Sequence, residues 1–283
     1  MPNKLYNILV PVDFSRKNKW AIAKAIELSN SFGCNIHLVY ILHRNILPFV
    51  PVDVSVVTPY ESFSDRLNSY EKLRILAAEC RQKICGNGTI EISVIEGPVP
   101  KRLSEYIQLY QIDLAVIGVK RFNFLQRILS SVSISRLARK TNIPVLAVQA
   151  GGLICHFKKI ILPIHNEIPS ERIKLATMLA RSFKSTVYLV SLRNADNTTE
   201  KIMNQALEFV QSISTVPVQG IFLEGKNLAK TTLDFAKKIN ADLIMINPLK
   251  EFTLPGLWNR MTKKLLTHSS TIPVLTMKKT GEQ

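Results

Sequence analysis

Three short segments occur in the same order in each half of this chain. Residues 7–13 read Asn-Ile-Leu-Val-Pro-Val-Asp and residues 159–165 read Lys-Ile-Ile-Leu-Pro-Ile-His. Later come Asp-Leu-Ala-Val-Ile-Gly at 113–118 and Asp-Leu-Ile-Met-Ile-Asn at 242–247. Each half closes on Ile-Pro-Val-Leu, at 143–146 and 272–275. A repeat of this length predicts one domain plan used twice in 283 residues. The expected domains are 1–150 and 151–283, with Ala150-Gly151-Gly152 as the linker.

The first half alternates between two hydrophobic periods. Ile8–Val12 is a continuous apolar run, as a strand buried on both faces requires. Ser15 is a candidate N-cap for the next helix, with Trp20, Ala23, Ala25 and Leu28 for its buried stripe and Gly33 to close it. Strands are expected at 35–42, 90–95, 114–117 and 144–148. Helices are expected at 61–84, after Gly97-Pro98, and near 131–140. The stripe of the 61–84 helix would be Phe63, Leu67, Tyr70, Ala77, Cys80 and Ile84. The second half repeats the pattern, with strands near 159–164, 186–192, 217–223, 242–246 and 273–277. Strand–helix alternation implies two tandem open, parallel, five-stranded sheets with helices on both faces, an α/β fold. Residues 43–60 break the rhythm: three prolines argue against helix, yet Phe49, Val50, Val52, Val54 and Val56 are too apolar for an ordinary solvated loop. They could pack on their own domain, or cover an edge, a groove or a partner.

Composition narrows the function classes. At 46% hydrophobic and 20% charged residues the chain suits globular domains with real cores. No apolar run reaches the roughly 20 residues that cross a bilayer, and no signal-peptide pattern opens the chain, so a cytoplasmic location is expected. The cysteines at 34, 80, 85 and 155 form no metal-ligand spacing, and no metal is expected. Net charge is +16, with 19 basic against 11 acidic residues up to 150 and 18 against 10 after it. The even spread argues against a basic arm gripping nucleic acid, while favouring anionic ligands or acidic protein partners in general.

Ile8-Leu-Val-Pro-Val-Asp-Phe-Ser15, Glu96-Gly97-Pro98, Asp113-Leu-Ala-Val-Ile-Gly118 and the two Ile-Pro-Val-Leu closings resemble the universal stress protein family in its tandem form. The resemblance covers nearly the whole chain and implies the α/β fold read above, related to other adenine-nucleotide α/β folds. Some members bind ATP without acting primarily as enzymes. Their motif, Gly-x2-Gly-x9-Gly-Ser/Thr after the fourth strand, lets backbone N–H groups approach the phosphates. Set from Gly118, its positions fall on Gly118, Arg121, Ser131 and Val132. Ser130 and Ser131 fit the third glycine and the hydroxyl if the register slips by one. In the second half the positions are Asn247, Lys250, Arg260 and Met261, with no glycine. The resemblance thus implies an ATP-like site in domain 1 built from Asp13, Gly118, Arg121, Ser130 and Ser131, and none in domain 2. Asp13 would face the adenosine; it could equally bond its own turn at Ser15. His165 stands at its place in the second half. The resemblance also implies that the last strands of the halves pair as an intramolecular pseudo-dimer, with a homodimer of whole chains possible. Such pairing covers two sheet edges.

Catalytic signatures are absent: no nucleophile elbow, no H-E-x-x-H, no P-loop. His37 and His43 read as structural. Lys120, Arg121, Arg127, Arg136, Arg139 and Lys140 form a solvated face or an anion-binding rim. The leading expectation is therefore a non-catalytic stress-response binding module with degenerate ATP loops. A sensor or weak ATPase using domain 1 is the alternative, and nucleic-acid or acidic-partner binding through the basic surface comes third.

Overall fold

The computed structural model describes residues 4–42, 59–119, 141–149, 156–193, 198–225, 227–246 and 271–277. It divides into two compact units, Leu5–Val116 and Ile117–Gln283 with Met1–Lys4.

In the first unit strands and helices alternate: β1 (Asn7–Val12), α1 (Asn18–Phe32), β2 (Asn35–Leu42), α2 (Pro59–Arg81), β3 (Ile90–Glu96), α3 (Val99–Leu109) and β4 (Leu114–Gly118), whose last two residues fall beyond the unit boundary. The strand order is β3-β2-β1-β4, all parallel, with Ile8 opposite both Ile36 and Leu114. The chain steps from β1 to β3 in one direction and returns past both to β4. Right-handed crossovers then put α3 on the opposite face from α1 and α2. The apolar run of β1 is what such a sandwich needs: Ile8, Leu9 and Val10 are fully buried, each worth about 1.5–3 kcal/mol of transfer free energy.

The larger unit holds β5 (Val145–Val148), β6 (Lys159–Pro163), α4 (Ser170–Phe183), β7 (Thr186–Leu192), α5 (Thr198–Ile213), β8 (Val218–Leu223), α6 (Leu228–Lys238), β9 (Leu243–Ile246) and β10 (Val274–Thr276). Its order is β5-β10-β9-β6-β7-β8. All pairs are parallel except β5 with β10, which run antiparallel with Leu275 opposite Leu146.

The sequence repeat is a structural one. Ile8 pairs with Leu114, and Ile160 with Leu243, at the same step of each motif. Asp113 Oδ2 accepts the backbone N–H groups of Tyr6 and Asn7 at 2.7 and 2.9 Å. Asp242 Oδ2 accepts those of Lys158 and Lys159, both at 2.9 Å. The repeated aspartate therefore clasps the entry to the first strand of each half. Both first helices end on a left-handed residue, Gly33 at φ 65° and Lys184 at φ 52°. Glycine takes that conformation without penalty, whereas lysine pays roughly 1 kcal/mol.

Two expectations are corrected. α2 spans 59–81 rather than 61–84, and it buries Ser69, Leu73, Ala77 and Cys80 while Leu67 and Tyr70 stay exposed. Apolar side chains ring this helix, so counting them at helical spacing held for Ala77 and Cys80 and failed for Leu67 and Tyr70. In α1, Ala21, Ile22, Ala25, Ile26 and Leu28 are buried, whereas Ala23 is exposed and Trp20 half-buried. Residues 43–58, the 150–152 linker, Cys155 and the 131–140 helix lie outside the described residues.

Candidate functional site at the carboxyl end of β1

Open parallel sheets bind ligands beyond the carboxyl ends of their strands. Asp13 stands one residue past β1. Three local bonds fix the turn that carries it. Asn18 Oδ1 accepts the Asp13 N–H at 2.8 Å, and Asn18 Nδ2 donates to the Pro11 carbonyl at 3.0 Å. The Asp13 Oδ1 accepts the Ser15 N–H at 3.0 Å. Phe14, between them, is held at φ 53°, unusual for a bulky residue. Asn18 is 5% exposed, so this amide is a buried brace that sequence reading missed. Its only signal was an Asx residue five positions after an aspartate at a strand end.

The Ser15 cap is a correction. α1 begins at Asn18, preceded by Lys17 with no side-chain cap. Ser15 offers its backbone carbonyl to the Asn18 N–H at 3.0 Å, and its hydroxyl has no hydrogen-bond partner among the described residues. Asp13 and Asn18 take the turn's polar groups first, leaving the serine side chain nothing to cap.

The other Asp13 carboxylate oxygen meets Lys17 Nζ at 2.6 Å, with both side chains partly exposed. Partial burial works to raise the Asp13 pKa, but the hydrogen bonds from Lys17 and Ser15 and the Lys17 charge together outweigh it. The carboxyl is held below its ordinary value. The result is an acceptor ionised at neutral pH, backed by a braced turn and paired with an ammonium that can swing to solvent. Chemically it can accept bonds from hydroxyl or amino donors while Lys17 turns to an anion.

Gly118 closes β4, the parallel neighbour of β1, and is buried. Val119 N–H then bonds the Val148 carbonyl at 2.8 Å. Arg121, Ser130 and Ser131 lie outside the described residues, as do Asn247, Lys250, Arg260 and Met261. His165 is exposed after β6. His37 is buried; its Nδ1 meets the Tyr106 hydroxyl at 3.0 Å and its Nε2 the Asn7 Oδ1 at 3.4 Å, tying β2 to α3 and β1. Among the described residues no group of three or more His, Cys, Asp or Glu could hold a metal ion, and no helix is long and apolar enough to cross a membrane.

Residues 5–149 match the family model described as the universal stress protein family. No curated protein matches the chain by sequence. Among solved structures, a universal stress protein from Archaeoglobus fulgidus has a TM-score of 0.78 at 12% identity, covering 99% of each chain. A putative universal stress protein from Pseudomonas aeruginosa has a TM-score of 0.60 at 17% identity, over 98% of this chain and 94% of the other. The cytoplasmic domain of a prokaryotic cation chloride cotransporter has a TM-score of 0.55 at 13% identity, over 99% and 97%. At these identities the likeness is one of fold.

Proposed function

The chain belongs to the universal stress protein family, and from that premise we infer that it is a cytoplasmic, non-catalytic stress-response module whose first half senses an adenine nucleotide. One observation carries this reading. Asp13 is ionised, partly exposed and braced at the carboxyl edge of the sheet, and its cation among the described residues, Lys17, is itself exposed enough to exchange partners. A nucleoside supplies donors for Asp13, and its phosphates supply the anion for Lys17. Gly118, Arg121, Ser130 and Ser131 complete the site in this reading, with the arginine and hydroxyls replacing lost backbone donors. The second half, with His165 at the place of Asp13, holds no nucleotide.

The halves are proposed to be domains 1–150 and 151–283, joined as an intramolecular pseudo-dimer through their last strands. The antiparallel β5–β10 ladder supports this, since each of those strands closes one copy of the repeat. A ladder used internally leaves neither strand edge free to pair elsewhere.

The test is calorimetric titration of ligand-stripped protein with ATP and magnesium. Saturable binding that Asp13→Ala weakens at least tenfold supports the nucleotide reading. No heat at millimolar ATP rejects it, and leaves an interaction scaffold.

A further inference from the structure

A cleft lies between α1 and α2, beside the turn that carries Asp13. It has a volume of about 290 Å³, close to the lower size of ligand pockets. Val12, Phe14, Ile22, Ile75 and Leu76 give it apolar walls. The polar lining residues are Ser15, Asn18, Lys19, Lys72 and Glu79.

The two helices run side by side in the same direction, each descending from the carboxyl edge of the sheet. Asn30 fixes their lower ends: its Nδ2 donates to the Lys83 carbonyl at 3.0 Å and its Oδ1 accepts the Cys85 N–H at 2.9 Å. Counting upward from that tie, Ile22 is level with Ile75, and Lys19 with Lys72. The cleft is thus polarised along its length. By this count Lys19 and Lys72 line its upper end, Ile22 and Ile75 its middle, and Glu79 its lower end.

Three features gather at this cleft. Lys19 and Lys72 both line the cleft, and neither forms an ion pair among the described residues. The Ser15 hydroxyl is buried without a hydrogen-bond partner among the described residues, an arrangement that costs free energy. Phe14, on the wall, is kept at a left-handed φ and is 40% exposed, with its ring 4.9 Å from that of Tyr40. Strained backbone of this kind gathers at ligand clamps.

We propose that this cleft binds a single-headed amphipathic carboxylate, a medium-chain fatty acid, with its head between Lys19 and Lys72 and its chain along Ile22, Ile75 and Leu76. The carboxylate head gives the two lysines the anionic partner that they lack among the described residues. Among the described residues no arginine lines the cleft, so none offers the planar bidentate recognition that favours phosphate. Glu79 at the far end repels a second anionic group, so diacids and polyanions are disfavoured. Asp13 and Lys17 do not line this cleft, although Phe14, Ser15 and Asn18 of the Asp13 turn do, so decanoate binding is read directly and without ATP.

The experiment is calorimetric titration of the full-length protein with decanoate below its micellar concentration, beside decanol and decyltrimethylammonium. Saturable binding of one decanoate is expected, at least tenfold tighter than either of the others. The double variant Lys19→Gln/Lys72→Gln should lose tenfold or more, and Ile75→Glu, a change at an exposed position that leaves the core intact, should lose a similar factor. Circular dichroism confirms that the variants fold. Equal binding of the cationic or neutral amphiphile, an unaffected lysine double variant, or no saturable binding would each overturn the proposal.

Discussion

Asp113→Ala removes one oxygen that accepts two backbone N–H groups at the entry to β1. Tyr6 is exposed, so water takes over its N–H at little cost. Asn7 is half-buried and already committed to the ladder with β2. Its stranded donor dominates, at about 1–3 kcal/mol for a buried unsatisfied group, and about 2 kcal/mol is expected in total. The same geometry recurs in the second half, where Asp242 clasps exposed Lys158 and half-buried Lys159. Asp242→Ala should therefore cost the same amount. Urea unfolding followed by circular dichroism measures both, and at a typical m-value of ~1–3 kcal/mol per molar each midpoint falls by roughly 1 M. Asp113→Asn, which keeps an oxygen acceptor, should lose about half as much. A loss below about 0.5 kcal/mol in either variant, the size of an ordinary surface change, would refute the clasp. So would losses that differ more than twofold, because the account holds that one residue does one job twice.

Asn18→Ala should cost about 1–3 kcal/mol, because it strands the Asp13 N–H and the Pro11 carbonyl together; thermal unfolding reads it, and weakened ATP binding should accompany it through the loosened turn. Gly97→Ala should destabilise by about 1–3 kcal/mol, since φ is 130° there and a Cβ would sit 2.8 Å from Arg102 Nε; an unchanged melting temperature would contradict this. Burial lowers the His37 pKa below 6.5, with a smaller opposing pull from the Glu91 carboxylate. The unfolded state then binds the proton first, so the stability due to neutral His37 is complete above the unfolded value and declines as pH falls below about 6.5. His37→Gln should flatten that decline in urea midpoints measured between pH 7 and 5.

The fold was legible because buried parallel strands are continuous apolar runs with few alternatives. β1, β2 and β7 fell within a residue of the expected bounds, and the doubled motif placed their counterparts. The face of α2 was not legible. Leu67, Tyr70 and Ile75 are exposed beside buried Ser69, and only the packing against β2 and β3 selects the inward side. The start of α1 failed for a similar reason. Ser15 has the right chemistry for a cap, but Asn18, reaching back over five residues, takes the turn's bonds instead. Asp13 was found because a carboxylate at a strand tip is a local feature. The brace behind it depends on tertiary placement of an amide that looks ordinary in a helical stretch. The role of Asp113 and Asp242 was hidden in plain view: the repeat marked them, and only the backbone showed which N–H groups they hold.

The most direct test of the account is the equilibrium binding of ATP with magnesium to the wild type and to Asp13→Ala, by calorimetry on protein freed of carried-over ligand. One saturable site per chain at micromolar affinity, weakened at least tenfold in the variant, is the predicted result. Binding that survives the loss of Asp13, two sites per chain, or no heat at millimolar ATP would contradict it.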